Sequence, residues 1–241
     1  MKRIFVFLML FIGTAAIAHT INWYVDGNIF HTTTCESGED ITPPTAPEKY
    51  GYTFKEWGTF TPIEYLKSTG TQWIDTGFYP NGDSAIEIKF ICSRGGVAYV
   101  KDRKSGTAWG CWNISIGETV IYHPSFGYTS YNANTKNPNI LFLGPLRSMF
   151  NQISAEYLYT KFQISENPIG LFTAFDGENW HLDYCSGQIY YAKFYNGSTL
   201  IRDFIPVLDK NGTPCMFDKV EHKFYYNAGT GDFIAGPIIG E

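Results

Sequence analysis

Apolar and polar residues alternate along short stretches of this chain, with the period of a β-strand. In SAIEIKFI, the residues Ile86, Ile88 and Phe90 alternate with Glu87 and Lys89. Successive side chains of a strand point to opposite faces, so the three apolar residues share one face. By contrast, no stretch of helical length keeps the apolar period of an α-helix. The pattern therefore predicts a chain built from β-strands.

Turn-forming dipeptides separate the alternating runs. GQIYYAKFYNG (187–197) ends at Asn196-Gly197, which favours a type I′ hairpin turn, and TLIRDFIPVL (199–208) follows at once. Similar dipeptides stand at Asn81-Gly82 and Asn211-Gly212. Many short strands with such turns between them predict an all-β fold, an antiparallel β-sandwich of the jelly-roll type.

The first eighteen residues have the features of a secretory signal peptide. Lys2 and Arg3 precede an apolar run from Ile4 to Ile12, and Ala16-Ile17-Ala18 is an A-x-A-like cleavage site. No later apolar run approaches the roughly 20 residues that span a bilayer. We therefore expect a signal peptide at 1–18 and no membrane span after cleavage. The mature chain would be extracytoplasmic, meaning secreted, periplasmic or on the cell surface. An uncleaved N-terminal anchor is the alternative.

The charge of the chain argues against a nucleic-acid partner. The full sequence has 18 Lys+Arg and 23 Asp+Glu residues. Loss of Lys2 and Arg3 with the signal peptide leaves 16 against 23, a net charge of −7. Nucleic-acid binding depends on Lys and Arg contacts to phosphates, which an acidic chain does not favour. The small basic cluster at Lys101–Lys104 contains Asp102 and is typical of a solvated loop.

The five cysteines are compatible with disulfides, because an oxidising compartment permits them. They are Cys35, Cys92, Cys111, Cys185 and Cys215. The last four allow three pairings, between which the sequence does not choose, and Cys35 would be left over. Five reduced, partly buried thiols are the alternative. Since no C-x-x-C is present, neither a thioredoxin-type site nor a zinc ribbon is indicated.

A small unit of about 40 residues precedes the main part of the chain. It contains the stretch ITPPTAP followed by GYTFKEWG (51–58). This unit, 20–60, resembles a Listeria–Bacteroides repeat, the β-grasp-like repeat of internalin-type surface proteins. We expect Phe54 and Trp57 to be core residues, since so small a unit needs its aromatic side chains to bury surface. The connection at Thr61-Pro62 is expected to be an exposed linker. The residues that carry the resemblance are Gly38, Ile41, Pro44, Pro47, Gly51, Tyr52, Thr53, Phe54 and Trp57.

The remainder of the chain, 63–241, carries a second resemblance. EYLKSTGTQWIDTGFYPN (64–81) and the long closing stretch 186–236 are similar to the concanavalin A-like, laminin-G-like sandwiches of secreted proteins from gut bacteria. The resemblance implies two packed antiparallel sheets and a non-catalytic recognition module, often for glycans. It implies no particular binding residues.

Alternation also sorts the aromatic residues of TAWGCWNISIG. Trp112, Ile114 and Ile116 share one face of a strand, which we expect to be the core face. Trp109 lies on the other, more polar face. It is either an exposed platform for stacking or is packed under the loops.

The stretch YHPSFGYTSYNANTKNP (122–138) is the predicted ligand site. It is long for a connection inside a sandwich, and such loops tend to be functional. Its aromatic rings and amides suit a sugar or an adaptable binding surface, and its histidine could add pH sensitivity. The alternative is that the tyrosines fold back over the sheet edge. The candidate ligand-binding residues are Trp109, His123, Phe126, Tyr128, Tyr131, Asn132 and Asn134.

Three functions compete: glycan binding, binding of another protein in an adhesion or structural role, and glycoside hydrolysis. Retaining hydrolysis needs two carboxylates about 5–5.5 Å apart, whereas Glu87 and Asp203 each stand alone in their strands. No hydrolase, zinc-protease or P-loop motif occurs. We therefore expect no enzyme activity and no cofactor.

Calcium is possible, because strand-end aspartates could serve as ligands, but no D-x-D-x-D-G motif supports it. The aspartates in question are Asp75, Asp83 and Asp176. The partner is expected to be a glycan or a surface protein.

Overall fold

The computed structural model describes most of the 241-residue chain. The described residues are 4–7, 19–25, 28–36, 39–48, 50, 57–102, 105–124, 127–158, 161–162, 167–175 and 184–239. Phe54 and the rest of the stretch 51–56 lie outside them, as do Phe126 and Asp176. The side chain of Trp57 is likewise not described, so the predicted core of the N-terminal unit remains a prediction there.

The fold is all-β, as the alternation predicts, and the described residues contain no helix. Consequently, no helix among them is long and apolar enough to cross a membrane. The strands are β1 (Ile4–Phe7), β2 (His19–Val25), β3 (Asn28–Cys35), β4 (Trp57–Pro62), β5 (Leu66–Thr69), β6 (Ile74–Phe78), β7 (Ser84–Lys101), β8 (Ala108–Ser115), β9 (Glu118–His123), β10 (Gly127–Asn132), β11 (Asn139–Leu143), β12 (Arg147–Phe150), β13 (Ile153–Glu156), β14 (Ile169–Leu171), β15 (Ala174–Phe175), β16 (Ser186–Asn196), β17 (Thr199–Leu208), β18 (Pro214–Asp218), β19 (Lys223–Tyr225) and β20 (Ile234–Ala235).

The long strand β7 belongs to two sheets. Its first half pairs with β11 on one side and β16 on the other. The order β13-β12-β11-β7-β16-β17-β18-β19 forms the main sheet, which is antiparallel. The second half of β7 pairs with β8, and β8-β9-β10 continue as the second sheet, with β15 parallel to β7 on the other side.

Two glycines allow β7 to pass from one sheet to the other. Gly95 has a φ of 103°, and a Cβ on it would collide with the carbonyl of Tyr184. A Cβ on Gly96 would collide with the backbone of Thr173 and Ala174. The register of β7 against β8 also shifts just after Gly96. Glycine is therefore required where the strand is bulged and closely crossed by another segment.

The two sheets pack face to face around one apolar core. Ile86, Ile88 and Phe90 of the first half of β7 are fully buried, as the alternation predicts. They share the core with residues of the second sheet such as Ile121. Directly across the interface, Tyr131 of β10 lies 5.3 Å from Phe150 of β12 between ring centroids. This packing is that of an antiparallel β-sandwich.

The β6–β14 pair forms a separate two-stranded sheet that packs on the main sheet. Phe78 of β6 packs on Phe194 of β16 at 5.0 Å. A disulfide joins Cys92 on β7 to Cys185 just before β16, with Cα atoms 6.1 Å apart. Of the three possible pairings of the last four cysteines, this bond belongs to the one that also joins Cys111 to Cys215. That second bond is not formed, since Cys111 and Cys215 are buried free thiols.

The N-terminal segment forms a hairpin, β2–β3, with its own small apolar cluster. Ile21 and Trp23 are buried there against Cys35 and Ile41. The indole N–H of Trp23 donates to Thr33 Oγ1 at 2.8 Å. Two modules remain a prediction, because this cluster is compatible with a separate unit but does not establish one.

The expected linker at Thr61-Pro62 is wrong. These residues end β4, where they pair with Leu208 and Val207 of β17, and Pro62 is buried. Phe60 packs on Phe217 at 4.6 Å, so the end of the N-terminal segment is anchored on the main sheet. A proline can occupy this position because β4 meets β17 over only two residue pairs.

The predicted signal peptide contributes a strand in the 241-residue chain. β1 lies parallel to β4, from Ile4 opposite Trp57 to Phe7 opposite Phe60, and contacts β2 at Val6. Cleavage after Ala18 would remove β1. The predicted processing therefore changes the surroundings of β4.

Candidate functional site

The outer face of the second sheet carries a row of four aromatic rings. Tyr99 of β7 lies 5.3 Å from Trp112 of β8 and 4.9 Å from Tyr122 of β9, between ring centroids. Tyr122 in turn lies 6.0 Å from Tyr128 of β10. Tyr99 is 4% exposed, Trp112 and Tyr122 are half-buried, and Tyr128, at one end of the row, is 67% exposed. We call these four side chains the aromatic row.

A glycine on the central strand holds the row together. Tyr99 is registered against Gly110 of β8, and Gly110 against Tyr122. Without a side chain between them, the two tyrosine rings can meet over the glycine. Gly110 has a φ of 116°, and a Cβ there would collide with the carbonyl oxygen of Ala98. The position therefore requires glycine for its backbone as well as for the rings.

A cleft of about 350 Å³ opens beside the exposed end of the row. Its volume is within the usual range of small-molecule sites. Tyr122 and Tyr128 supply ring surface, and the polar lining includes exposed Lys101 and the hydroxyls of Ser105 and Thr107. Other lining residues are Tyr99, Gly106, Ala108, His123, Pro124 and Gly127.

The turn beside the cleft is held by its own hydrogen bonds. The amide of Asp102 donates to the carbonyl of Thr107 at 2.7 Å. Ser105 Oγ donates to Asp102 Oδ2 at 2.9 Å and accepts from the amide of Thr107 at 3.2 Å. Burial raises the pKa of Tyr122, and the neighbouring Tyr128 adds to this. Its hydroxyl is thus neutral at physiological pH and can both donate and accept.

The two tryptophans of β8 are on the faces opposite to those predicted. Trp109 is fully buried in the core, so of the two alternatives for it the exposed stacking platform is wrong, and it is not a ligand-binding residue. Trp112 is half-buried in the aromatic row, while Ile114 and Ile116 are 45% and 79% exposed. The core face of β8 was mispredicted from its apolar residues. Ile114 and Ile116 lie at the end of the sheet, beside the β8–β9 turn, and are exposed there.

Two further candidate residues are in the core. Tyr131 is 9% exposed and packs between the sheets. His123 is 1% exposed, stacked on Tyr157 at 5.3 Å and edge-on to Phe162 at 6.1 Å. Burial lowers the pKa of His123 to about 4, so the expected titration near 6.5 at a ligand site is corrected.

Much of the stretch 122–138 is paired strand rather than a long loop, since Tyr122 and His123 end β9 and Gly127–Asn132 form β10. Gly127 to Asn132 pair with His123 to Glu118 in an antiparallel ladder. Asn132 at the end of β10 and Asn134 just beyond it are exposed, and neither belongs to the cleft lining. Asn134 Oδ1 accepts from the amides of Lys136 and Asn137, which is a structural turn role. Of the candidates with described side chains, Tyr128 alone has a ring facing solvent in the cleft.

Sequence reasoning missed Tyr99, Trp112 and Tyr122. Each of them stands next to core residues in its strand, so alternation within a single strand could have placed it on the outer face. Their convergence depends on the register of four strands, with bulges at Gly96/Ala98 and Asn113/Ser115. A bulge reverses the face of every residue beyond it, and single-strand alternation does not reveal where it lies.

The described residues contain no group of three or more His, Cys, Asp or Glu side chains that could hold a metal ion. Glu87 accepts from the hydroxyl of Tyr191 at 2.9 Å, and Asp203 pairs with Lys219 at 2.7 Å. Lys193 lies between them in the register of the main sheet, opposite both carboxylate-bearing residues.

Comparison with known proteins gives no match: no family model fits the chain, and no curated protein or solved structure is similar to it. The functional inference therefore depends on the residues of this chain.

Proposed function

We propose that this chain is a non-catalytic, secreted or cell-surface recognition protein that binds a glycan at the aromatic row. The observation that carries the proposal is the row itself, which ends in the exposed ring of Tyr128 beside a polar cleft. A ring that is two-thirds exposed but fixed by neighbouring rings is a preformed surface for an apolar ligand face.

The chemistry of the cleft suits a sugar ring. One face of a pyranose presents C–H groups, which can pack against Tyr128 and Tyr122. Its hydroxyls can exchange hydrogen bonds with Ser105, Thr107 and Lys101 at the rim. Localisation outside the cytoplasm follows from the predicted signal peptide and is part of the proposal.

The first experiment is a glycan array probed with the purified 241-residue chain, followed by calorimetry on any glycan that binds. Tyr128→Ala should weaken binding by about tenfold or more, because a central exposed ring is a typical hot spot. The melting temperature should stay unchanged. Tyr79→Ala is the matched control, since Tyr79 is 50% exposed and lies outside the cleft lining. Equal affinity of both variants would contradict the proposal.

A protein partner is the second candidate, and one surface favours it. Several apolar side chains are exposed around β11, β12 and β13, on one edge of the main sheet. They are Ile140 (38%), Leu146 (54%), Met149 (41%), Ile153 (61%) and Leu158 (85%). Met149→Glu would abolish binding to such a partner and leave glycan binding intact.

Glycoside hydrolysis is the third candidate. Glu87→Gln and Asp203→Asn should leave glycan binding unchanged within about twofold, because both residues are on the main sheet rather than in the cleft. The assay is release of reducing sugar from any glycan found on the array. Hydrolysis by the unaltered chain, lost in either variant, would overturn the non-catalytic proposal.

A further inference from the structure

A second cleft, of about 460 Å³, lies between β6 and β19. Beyond β19, the chain is joined to the segment before β6, where Ala228 N donates to the carbonyl of Trp73 at 2.9 Å. Toward Asp75 the two strands have different partners, since β6 pairs with β14 and β19 with β18. The cleft occupies the space left between them. Its lining consists of Asp75, Gly77, Arg202, Glu221, Lys223, Phe224, Tyr225 and Tyr226.

Arg202, from β17, is held rigidly in this cleft. Its Nε donates to the carbonyl of Thr76 at 3.3 Å, and its Nη1 donates to the carbonyl of Ile201 at 3.0 Å. Nη1 also lies 2.8 Å from Glu221 Oε1, and Nε lies 3.6 Å from Oδ2 of the buried Asp218. These contacts engage two of the three guanidinium nitrogens and fix the plane of the group.

The third nitrogen, Nη2, faces the cleft. Across the described part of the chain, it makes neither a hydrogen bond nor an ion pair. It lies 3.9 Å from the place that a Cβ on Gly77 would occupy, and Gly77 and Arg202 both line the cleft. A fixed guanidinium edge with two unused N–H donors is a strong site for a carboxylate.

The other groups of the cleft add to this chemistry. Lys223 is an exposed second cation, placed 4.7 Å from the ring of Tyr225. Glu221 is already engaged, since it pairs with Arg202 and accepts from the hydroxyl of Tyr225 at 2.6 Å. The ring of Tyr226 is 47% exposed and is fixed by the hydrogen bond of its hydroxyl to Asp209 Oδ2 at 3.0 Å.

We propose that this cleft is a second ligand site, which binds the carboxylate of an acidic sugar such as a hexuronate unit. The carboxylate meets Arg202 Nη2 and Lys223. The exposed Asp75 accepts from a sugar hydroxyl, and the ring face packs on Tyr226. The site is independent of the aromatic row, so its failure would leave the proposed function of that row untouched.

The test is a titration of the full chain with glucuronic acid, its methyl ester, glucose and N-acetyl-alanine, followed by calorimetry or NMR. Glucuronic acid should bind at least tenfold more tightly than its methyl ester, because esterification removes the charge that Arg202 recognises. Binding of all probes alike, no binding of glucuronic acid at millimolar concentration, or a preference for N-acetyl-alanine would each overturn the proposal.

Variants locate the binding. Lys223→Gln should lower the affinity for glucuronic acid by about two- to fivefold, as expected for the loss of an exposed ionic contact. The matched control is Lys136→Gln, an exposed lysine near the end of β10. Arg202→Lys keeps the charge but removes Nη2, and should reduce binding by more than tenfold. Arg202 also contacts Thr76 of β6 and Asp218 of β18, so its substitution could destabilise the fold. The melting temperature of the Arg202→Lys variant is therefore measured in parallel. Unchanged affinity in a folded Lys223→Gln variant would contradict the site.

Asp75→Asn tests whether the ligand at this cleft is an anion. It removes a negative charge from the cleft while keeping an oxygen acceptor, so affinity for glucuronic acid should be equal or higher. Tyr128→Ala should have no effect on this binding. If Tyr128→Ala lost glucuronic acid binding, the acid would bind at the aromatic row, and the proposal of a second site would be wrong.

Discussion

At the scale of single residues, burial decides what each candidate side chain can do. Tyr128 and Tyr131 are three positions apart on β10 and have the same chemistry, yet one is 67% and the other 9% exposed. Tyr131 belongs to the core between the sheets, and Tyr128 to the surface. Likewise, His123 lines the cleft at its inner end but is packed among aromatic rings.

The two tyrosines should respond differently to truncation. Tyr131→Ala should lower the free energy of unfolding by about 3 kcal/mol, because it leaves a cavity beside Phe150. Tyr128→Ala should change it by less than about 0.5 kcal/mol, as an exposed substitution does. Urea unfolding of both variants checks the prediction, and similar losses would show that Tyr128 is part of the core.

His123 should make the protein less stable in mild acid. Its folded pKa of about 4 is below the value of about 6.5 in an unfolded chain. Below pH 6.5 the unfolded chain binds a proton that the folded chain does not, so stability falls until about pH 4 and then levels off. The full difference is about 3 kcal/mol.

The variant His123→Phe should remove this part of the pH dependence. Unfolding free energies at pH 7 and pH 4 are compared with those of the unaltered chain. The control is His31→Gln on β3, where the histidine is exposed. Equal slopes in the unaltered chain and His123→Phe would show that the imidazole titrates alike in the folded and unfolded chains, and would contradict the prediction.

At the scale of elements, glycines and bulges determine which side chains of neighbouring strands come into contact. The aromatic row exists because β8 places Gly110 between two tyrosine-bearing strands. The alternation in the first half of β7 was sufficient to predict its core face, since Ile86, Ile88 and Phe90 are buried. In β16 the register shifts between Ile189 and Tyr191, so the buried residues do not follow a strict alternation. The end of β8 was mispredicted, because apolar isoleucines beside a turn there face solvent.

Gly110 and Gly106 form a pair for testing the close packing at Gly110. Both have positive φ, at 116° and 71°, but a Cβ on Gly106 would meet nothing within 4 Å. Gly106→Ala should therefore cost about 1 kcal/mol of stability, from the backbone alone. Gly110→Ala should cost clearly more and should also weaken glycan binding. Equal losses in thermal unfolding would contradict the close approach of Ala98.

At the scale of the whole molecule, one disulfide joins the long strand β7 to the residue just before β16. Cys92 and Cys185 are 93 residues apart in sequence. A cross-link over a loop of this length restricts the unfolded chain strongly. The two sheets share a single core, so the effect of that link extends to the whole sandwich.

Removal of the disulfide should destabilise the entire sandwich. The double variant Cys92→Ala/Cys185→Ala should lose about 4 kcal/mol of unfolding free energy. A reductant should lower the melting temperature of the unaltered chain and have no effect on the double variant. A reductant effect of equal size in both would place the stabilising link elsewhere.

The remaining thiols should differ in reactivity. Burial raises the pKa of Cys111 and of Cys215 to about 12, whereas Cys35 is half-buried. Since the thiolate is the reactive form, iodoacetamide should label Cys35 first in the native chain. Mass spectrometry after brief labelling checks the order. Early labelling of Cys111 would show that the core opens.

The sequence by itself determined the all-β class, the core faces of strands such as β7, and the hairpin at Asn196-Gly197, because these depend on local alternation and turn chemistry. The tertiary structure alone decided the cysteine pairing, the burial of Trp109, Tyr131 and His123, and both clefts. Each of these depends on strand register and sheet packing, which join residues far apart in sequence. A single bulge or glycine crossing changes which side chains meet without changing the local pattern.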